Sequence, residues 1–217
     1  MPRAKLATPD LLDDQVLRAI AQRGGVRSFP AHAVLVTEDD RSDALFIILS
    51  GRTKAYGSGP DGREVVYATQ GAGEYFGEMT LDGGPRSASV TTLEPTTCAV
   101  VPGAEVREFL ASHPDFALHL VKKLIGLARA STGQVKSLAL DDVYNRVARL
   151  LRSLARDQGD GGSVLVVPDK LTQQDIADRV GSSREMVSRV LKPLVEGGYV
   201  ELRGGRYALL RKLPAGL

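Results

Sequence analysis

Through the first hundred residues apolar side chains alternate with polar ones or fall in short β-branched blocks. AVLVT (33–37), ALFIIL (44–49), REVVYAT (63–69), SASVTT (87–92) and TTCAVV (96–101) each have the length and composition of a strand. The clusters EDDRSD, GSGPDG, GAGE and DGGP separate them and supply turns. Short strands joined by glycine-rich turns predict an antiparallel barrel or sandwich. Ahead of them, LLDDQVLRAIAQ (11–22) has apolar residues at helical spacing.

At residue 112 the period changes to that of a helix and holds for about forty residues. Ser112 is placed to cap it, with Pro114 in the first turn. Ala117, Val121, Leu124, Ala128, Ser131, Val135 and Leu138 step by four and three. That is a heptad seam, which suits pairing with an identical helix. Ser131 is its odd member. A hydroxyl there weakens apolar packing, so either the helices approach closely at a small residue or the hydroxyl has a partner.

From about Asp142 the pattern becomes a helix (143–157), a glycine-rich hairpin over DQGDGGSVLVVP, two short helices and a terminal hairpin around Gly204 and Gly205. Helices followed by a β-wing form a compact DNA-binding layout. Within LTQQDIADRVGSSREMVSRVLKPL (171–194), Thr172 and Asp175 form a capping pair for a first helix ending at Val180. Gly181 supplies the turn. Ser182 is expected to cap the second helix, with Glu185 completing a capping box. Met186, Val187, Val190 and Leu191 would share its buried face, and Arg184, Glu185, Ser188 and Arg189 the opposite one. Arginine can pair with guanine O6 and N7, and glutamate can accept from the cytosine amino group. Taken singly, Glu185 serves equally as a cap and each arginine as a solvated charge; the whole pattern reads as a DNA-binding helix–turn–helix.

Composition narrows the remaining classes. The chain has 217 residues, 43 % hydrophobic and 25 % charged, which fits one large or two small globular domains. Its net charge is +2, but residues 143–217 hold 13 Lys and Arg against 8 Asp and Glu. A basic last third after an acidic front points to a polyanionic partner. No apolar run reaches the roughly 20 residues of a membrane span, and the N-terminus lacks a secretory block, so a cytoplasmic protein is expected. Cys98 is the single cysteine, which excludes an intrachain disulfide and a cysteine-ligated cluster. His32, His113 and His119 have no metal-ligand spacing, and no metal is expected. The last third has no histidine, cysteine or nucleophile motif, which argues against an enzyme.

One stretch is left over: GEYFGEMTLDGGPRSASV (73–90), glycine-rich, with carboxylates in front and Arg86 behind. Together with the long helix carrying AST (130–132) and with SREMVSRVL (183–191), it resembles the bacterial regulator family of the cyclic-AMP receptor protein and the fumarate–nitrate regulator. The resemblance covers nearly the whole chain. It implies an α+β architecture: an N-terminal double-stranded β-roll, jelly-roll-like, over 1–112; a dimerisation helix over 113–142; and a C-terminal winged helix–turn–helix over 143–217. It implies a homodimeric, allosteric transcription regulator that binds a cyclic nucleotide, reads a palindromic operator with TGTGA-like half-sites and works with RNA polymerase.

Carried over by residue, Gly77, Glu78, Met79, Arg86 and Ser87 become a phosphate-binding cassette. Gly77 lets the backbone approach the ligand. Glu78 takes the ribose 2′-hydroxyl, and Arg86 and Ser87 hold the cyclic phosphate, as a charge-assisted bond and an anion-binding nest would. Ser131 and Thr132 fall where cyclic-AMP receptors read adenine, giving the polar seam residue its partner. Thr172, Ser183, Arg184, Glu185, Ser188 and Arg189 become the DNA contacts. Cyclic AMP is the first expectation for the effector; cyclic di-GMP, cyclic GMP, a constitutive DNA binder, or a cyclic-nucleotide-binding module that only dimerises are the alternatives. The cassette is a residue or two shorter than usual between Glu78 and Arg86. Pro193 falls late in the second helix, where proline should kink or end it. The N-terminus lacks the cysteines of iron–sulfur members, so oxygen sensing by that route is not expected.

Overall fold

The computed structural model describes residues 14–60, 62–157 and 164–214. Among them two compact units form, one from the described parts of Met1–Gly57 and Val66–Ala128, the other from those of Ser58–Val65 and Arg129–Leu217.

The first unit opens with α1 (Gln15–Ala21), whose cap Asp14 accepts from Val16 N and Leu17 N. The earlier part of the expected helix lies outside the described residues. Eight strands follow: β1 (Gly25–Phe29), β2 (Val34–Val36), β3 (Ala44–Ser50), β4 (Thr53–Ser58), β5 (Glu64–Gln70), β6 (Tyr75–Phe76), β7 (Ser89–Thr92) and β8 (Thr96–Pro102). They make two four-stranded sheets, ordered β1-β8-β3-β6 and β2-β7-β4-β5. The β-roll expected from the sequence is therefore present. The five expected strands appear within two residues of their expected bounds, while β1, β4 and β6 were not expected.

β3 is the centre of this unit, with five consecutive buried residues, Leu45 to Leu49. Alternation sends them to opposite faces. Leu45, Ile47 and Leu49 pack with Leu17 and Ile20 of α1 and with Val106 and Phe109. Phe46 and Ile48 pack with Val36, Phe76, Val90 and Cys98. Burying each such side chain contributes about 1.5–3 kcal/mol, so both faces of β3 are committed to the core.

The sequence placed the strand-to-helix change at residue 112. It comes earlier, at α2 (Gly103–Ser112). Ser112 is the last residue of α2, where its hydroxyl donates to the carbonyls of Glu108 and Phe109, so it does not cap the long helix. That helix, α3, spans Pro114–Leu140.

In the second unit α4 (Val143–Leu154) begins at its cap Asp142, which accepts from Asn145 N at 2.7 Å. Just before it, Asp141 accepts from Ser137 Oγ and pairs with Arg149, both at 2.7 Å. Two strands, β9 (Arg156–Asp157) and β10 (Leu165–Val166), flank the expected glycine-rich hairpin, whose residues 158–163 lie outside those described. Then come α5 (Gln173–Val180), α6 (Arg184–Glu196), β11 (Val200–Arg203) and β12 (Arg206–Leu209). The strands form one sheet in the order β11-β12-β10-β9. Gly204 and Gly205, at φ 57° and 83°, make the tight wing turn that side chains resist. Val147 and Leu151 of α4 share one core with Ile176, Val187, Leu191 and Leu194.

Candidate functional site

The leftover stretch folds as β6, then Gly77, then a single 3-10 turn over Glu78–Asp82. β6 is held against β3 by the pairs Phe46↔Phe76 and Ile47↔Tyr75, with the two phenylalanine rings stacked at 4.8 Å. Arg86 is pinned through its backbone: its N–H donates to Asp40 O at 2.8 Å and its carbonyl accepts from Asp39 N at 2.9 Å. Its guanidinium turns inward, and the residue as a whole is 3 % exposed. Nε donates to Ser42 Oγ at 3.0 Å, Nη1 to Gly77 O at 3.1 Å and Nη2 to Ala44 O at 2.8 Å. Burial lowers its pKa, while Asp43, Glu78 and Asp40 oppose that shift.

This arrangement gives Gly77 a structural reason of its own. Its φ is +94°, and a Cβ there would lie 2.6 Å from both Ala44 O and Arg86 Nη1. The glycine makes room for the buried arginine. Met79 and Ser87 are exposed and touch through Ser87 Oγ and Met79 Sδ at 3.2 Å.

Glu78 is buried at 7 % exposure. Its Oε2 has no hydrogen-bond partner, and Lys123 Nζ of α3 stands 3.6 Å from it. That is ion-pair distance, too long for a hydrogen bond. The ammonium donates instead to the carbonyl of Tyr75 and lies 3.8 Å from the centre of the Tyr75 ring. Burial lowers the Lys123 pKa, against the opposing pull of Glu78 and Glu74. Beside this group lies a cavity of about 510 Å³ whose lining includes Ala68, Gln70, Tyr75, His119, Lys123 and Leu127. Glu78 and Arg86 stand outside that lining.

The charge set needed for a phosphorylated sugar is thus present but engaged. A buried carboxylate oxygen without a donor fits a ligand hydroxyl. The arginine that would hold a phosphate is spent on protein carbonyls. Ser131 and Thr132 are both exposed on α3. So are Val121, Leu124, Val135 and Leu138 of the seam, at 41–66 %. Leu118 and Ile125, at 53 % and 46 %, widen the apolar stripe beyond the residues expected.

In the second unit α5 is capped by Thr172, with the reciprocal Asp175 bond in place. Gly181 adopts the left-handed conformation, φ 62° and ψ 53°. α6 is capped by Ser183 and not by Ser182: its Oγ accepts from Met186 N at 3.3 Å. Glu185 therefore sits one position too early for a capping box, and its own backbone N–H, followed by the Ser183 hydroxyl, holds its pKa low. Val187, Val190, Leu191 and Leu194 form the buried face. Met186 was expected there but is 36 % exposed, on the side of Arg184, Glu185 and Arg189, which are exposed, and of half-buried Ser188. α6 continues through Pro193 to Glu196, so the proline does not end it.

Two family matches follow this division. Residues 26–113 match the cyclic nucleotide-binding domain, and residues 145–215 match the Crp-like helix-turn-helix domain. The CRP-like cAMP-activated global transcriptional regulator of Mycobacterium tuberculosis is 34 % identical over 179 residues, 81 % of this chain and 80 % of that protein. The chain belongs to the CRP/FNR family of transcription regulators. The cAMP-activated global transcriptional regulator Vfr of Pseudomonas aeruginosa, another member, is 32 % identical over 82 % of this chain and 86 % of its own. Among solved structures, the c-di-GMP responsive global regulator CLP of Xanthomonas campestris matches with TM-score 0.77 and 25 % identity, covering 90 % of this chain and 98 % of that one. As a CRP/FNR regulator the chain is not an enzyme.

Sequence reading missed Lys123. On a helical wheel it was one more charge on a long helix, and only the packing of α3 against β6 brings it to Glu78. For Arg86 it supplied a phosphate ligand by residue type, and could not show that Ala44 and Gly77 turn their carbonyls toward the guanidinium.

Proposed function

We propose that the chain acts as a homodimer that binds a palindromic DNA site and is switched by a cyclic nucleotide, with cyclic AMP as the effector. The observation that carries the effector reading is the buried Glu78 carboxylate, whose Oε2 accepts from no donor. A ribose hydroxyl would satisfy it. The cyclic-AMP-activated relatives of M. tuberculosis and P. aeruginosa support the choice of nucleotide. The exposed hydroxyls of Ser131 and Thr132 supply donors and acceptors for the base. For Arg86 and Ser87 to hold the phosphate, Arg86 must exchange a carbonyl partner for it, so ligand binding would reshape the cassette.

The exposed stripe of α3 supports pairing with a second copy, since patches of this kind are rare on monomers. A dimer would place two α6 helices in successive major grooves, about 34 Å apart, with Arg184, Glu185, Ser188 and Arg189 toward base edges and Thr172 and Ser183 near phosphates. TGTGA-like half-sites are the starting sequence, and RNA polymerase is the further partner that activation requires. The second reading, cyclic di-GMP, is favoured by the likeness to the X. campestris regulator and by the short cassette with its engaged arginine.

Calorimetric titration of cyclic AMP, cyclic GMP and cyclic di-GMP, together with mobility shifts on a palindromic duplex at fixed salt, tests this. Cyclic AMP should bind, tighten DNA binding, and be tightened by DNA to the same factor, because such coupling is reciprocal. Replacing both Ser131 and Thr132 by alanine should shrink that factor. DNA binding of equal strength with and without all three nucleotides would leave a constitutive DNA binder, and a monomer by sedimentation would remove the paired-helix reading.

A further inference from the structure

Lys123 has one partner too many for a plain structural role. Its side chain is 19 % exposed and that of Glu78 6 %, so the pair is largely desolvated. Yet the geometry is poor, at 3.6 Å with no hydrogen bond from ammonium to carboxylate. Buried ion pairs hold well only when hydrogen-bonded. Lys123 also lines the cavity, which Glu78 does not. The lysine therefore stands between the cavity and the carboxylate.

Its chemistry suits a change of partner. An ammonium is a compact charge with rotatable donors on a flexible stem, whereas a guanidinium is a rigid fork. Arg86, the other cation beside Glu78, is fixed through three nitrogens to Ser42, Gly77 and Ala44. Of the two, Lys123 is the one that can move without leaving several buried carbonyls unpaired.

We propose that Lys123 is an exchanging cation and the specificity-determining residue of the pocket: it neutralises Glu78 when the cavity holds no ligand and passes to the anionic group of the effector when one binds, uncovering Glu78 for a hydroxyl of the same molecule. Only a ligand with both groups completes the exchange. An anion without a hydroxyl strands Glu78 in the interior. A hydroxyl without an anion cannot draw the ammonium away. The pocket thus rejects the uncharged nucleoside, which shares base and sugar with the nucleotide. Because Lys123 is on α3, the exchange also changes what holds that helix to the cassette. This inference rests on reading the cavity as the effector pocket.

The test compares each nucleotide with its nucleoside: cyclic AMP with adenosine, and cyclic GMP and cyclic di-GMP with guanosine. Binding is titrated for the full chain and for Lys123→Met. The wild type should prefer whichever nucleotide it binds, and Lys123→Met should cut that preference by about tenfold or more, the scale of one charge-assisted bond. Nucleotide binding should weaken while nucleoside binding holds or improves. Should the stranded Glu78 prevent Lys123→Met from folding, the same comparison is made between Glu78→Gln and Glu78→Gln with Lys123→Met, since the double variant leaves no unpaired carboxylate at the site. Equal weakening of nucleotide and nucleoside, with their ratio unchanged, overturns the exchange and leaves the effector reading in place. Binding of none of the three nucleotides by the wild type overturns the effector reading and the exchange with it.

Discussion

Arg86 donates to the carbonyl of Gly77 at 3.1 Å, and its guanidinium takes up space that a side chain on Gly77 would enter. The two residues form one structural unit: the glycine at φ +94° turns its carbonyl toward the guanidinium, and a Cβ would meet that guanidinium at 2.6 Å.

Gly77→Ala should therefore destabilise the protein before any ligand is involved. The positive φ alone costs about 1–3 kcal/mol for a residue with a Cβ, and the contact with Ala44 O is against backbone, which cannot swing aside. Chemical denaturation of the ligand-free variant should show the loss. A midpoint equal to the wild type would mean that the cassette relaxes freely and that the glycine serves only the approach of a ligand.

Arg86→Ala follows from the same geometry. A residue that only held a phosphate would lose binding and keep stability. Here its removal takes a buried donor away from the carbonyls of Gly77 and Ala44, at a cost of about 1–3 kcal/mol. Ligand-free stability should fall together with nucleotide binding, as thermal melting and titration in parallel would record. Unchanged melting would return Arg86 to the simpler role that its sequence position implies.

These two cases mark what the sequence could and could not carry. Strand β3 was legible because six apolar residues in a row, bounded by turn clusters, fit a strand buried on both faces. The helix–turn–helix was legible because its rules are local: Thr172 with Asp175, then a left-handed Gly181. Even there the cap fell at Ser183, since two adjacent serines offer the same chemistry and the turn after Gly181 decides between them. α2 was missed because its helical stretch, GAEVREFLAS, follows directly on a strand with no capping side chain ahead of it; its cap residue is Pro102. β4 and β6 were missed because TKAYGS is mostly polar and YF too short to show a period. The site was legible as a list of residue types, but not as a set of contacts. Whether Arg86 faces a ligand or a carbonyl, and whether Lys123 reaches Glu78, depends on non-local packing of β3, β6 and α3.

The thiol of Cys98 is fully buried between the sheets, and burial pushes its pKa from 9.0 up to about 12. Maleimide should leave it unlabelled in the folded protein, because the thiolate is the reactive form. The sign of the pH effect follows by linkage. The protonated thiol is favoured by folding, so its contribution is complete below about pH 9 and is lost as the pH rises toward 12, the unfolded chain ionising first. Denaturation at several alkaline pH values should show stability falling, with a shallower slope in Cys98→Ala. Some decline should persist, since Tyr75, Tyr144 and Tyr207 are also shifted upward by burial. Rapid labelling of the native protein would show that the two sheets part readily.

On α6, Arg189 is exposed, six residues beyond the cap at Ser183, while Val187 and Val190 on either side of it are buried. Arg189→Ala should keep the fold, cost about 1–3 kcal/mol of specific DNA binding and relax preference at one base pair in each half-site. Selection from random duplexes by the two proteins would show it; an unchanged motif with uniformly weaker binding would make Arg189 a phosphate contact instead.

Pro193 supplies the last test. It sits inside α6 and has no N–H to offer the carbonyl of Arg189 four residues earlier. Helix continues beyond it all the same, because Leu194 is fully buried in the core and Gly197 N closes onto Pro193 O at 2.9 Å. Packing therefore overrides a proline penalty of about 3 kcal/mol in a helix interior, offset in part by the stiffer unfolded chain. Pro193→Ala should restore the donor and stabilise the C-terminal unit by about 1–2 kcal/mol. The residues proposed to read bases lie between 184 and 189, N-terminal to the change, so DNA affinity at fixed salt should stay the same. Denaturation of the variant and one binding isotherm decide it. Lower stability would show that the ring itself fills space in the core, and altered DNA affinity would show that the proline sets the axis of the recognition helix.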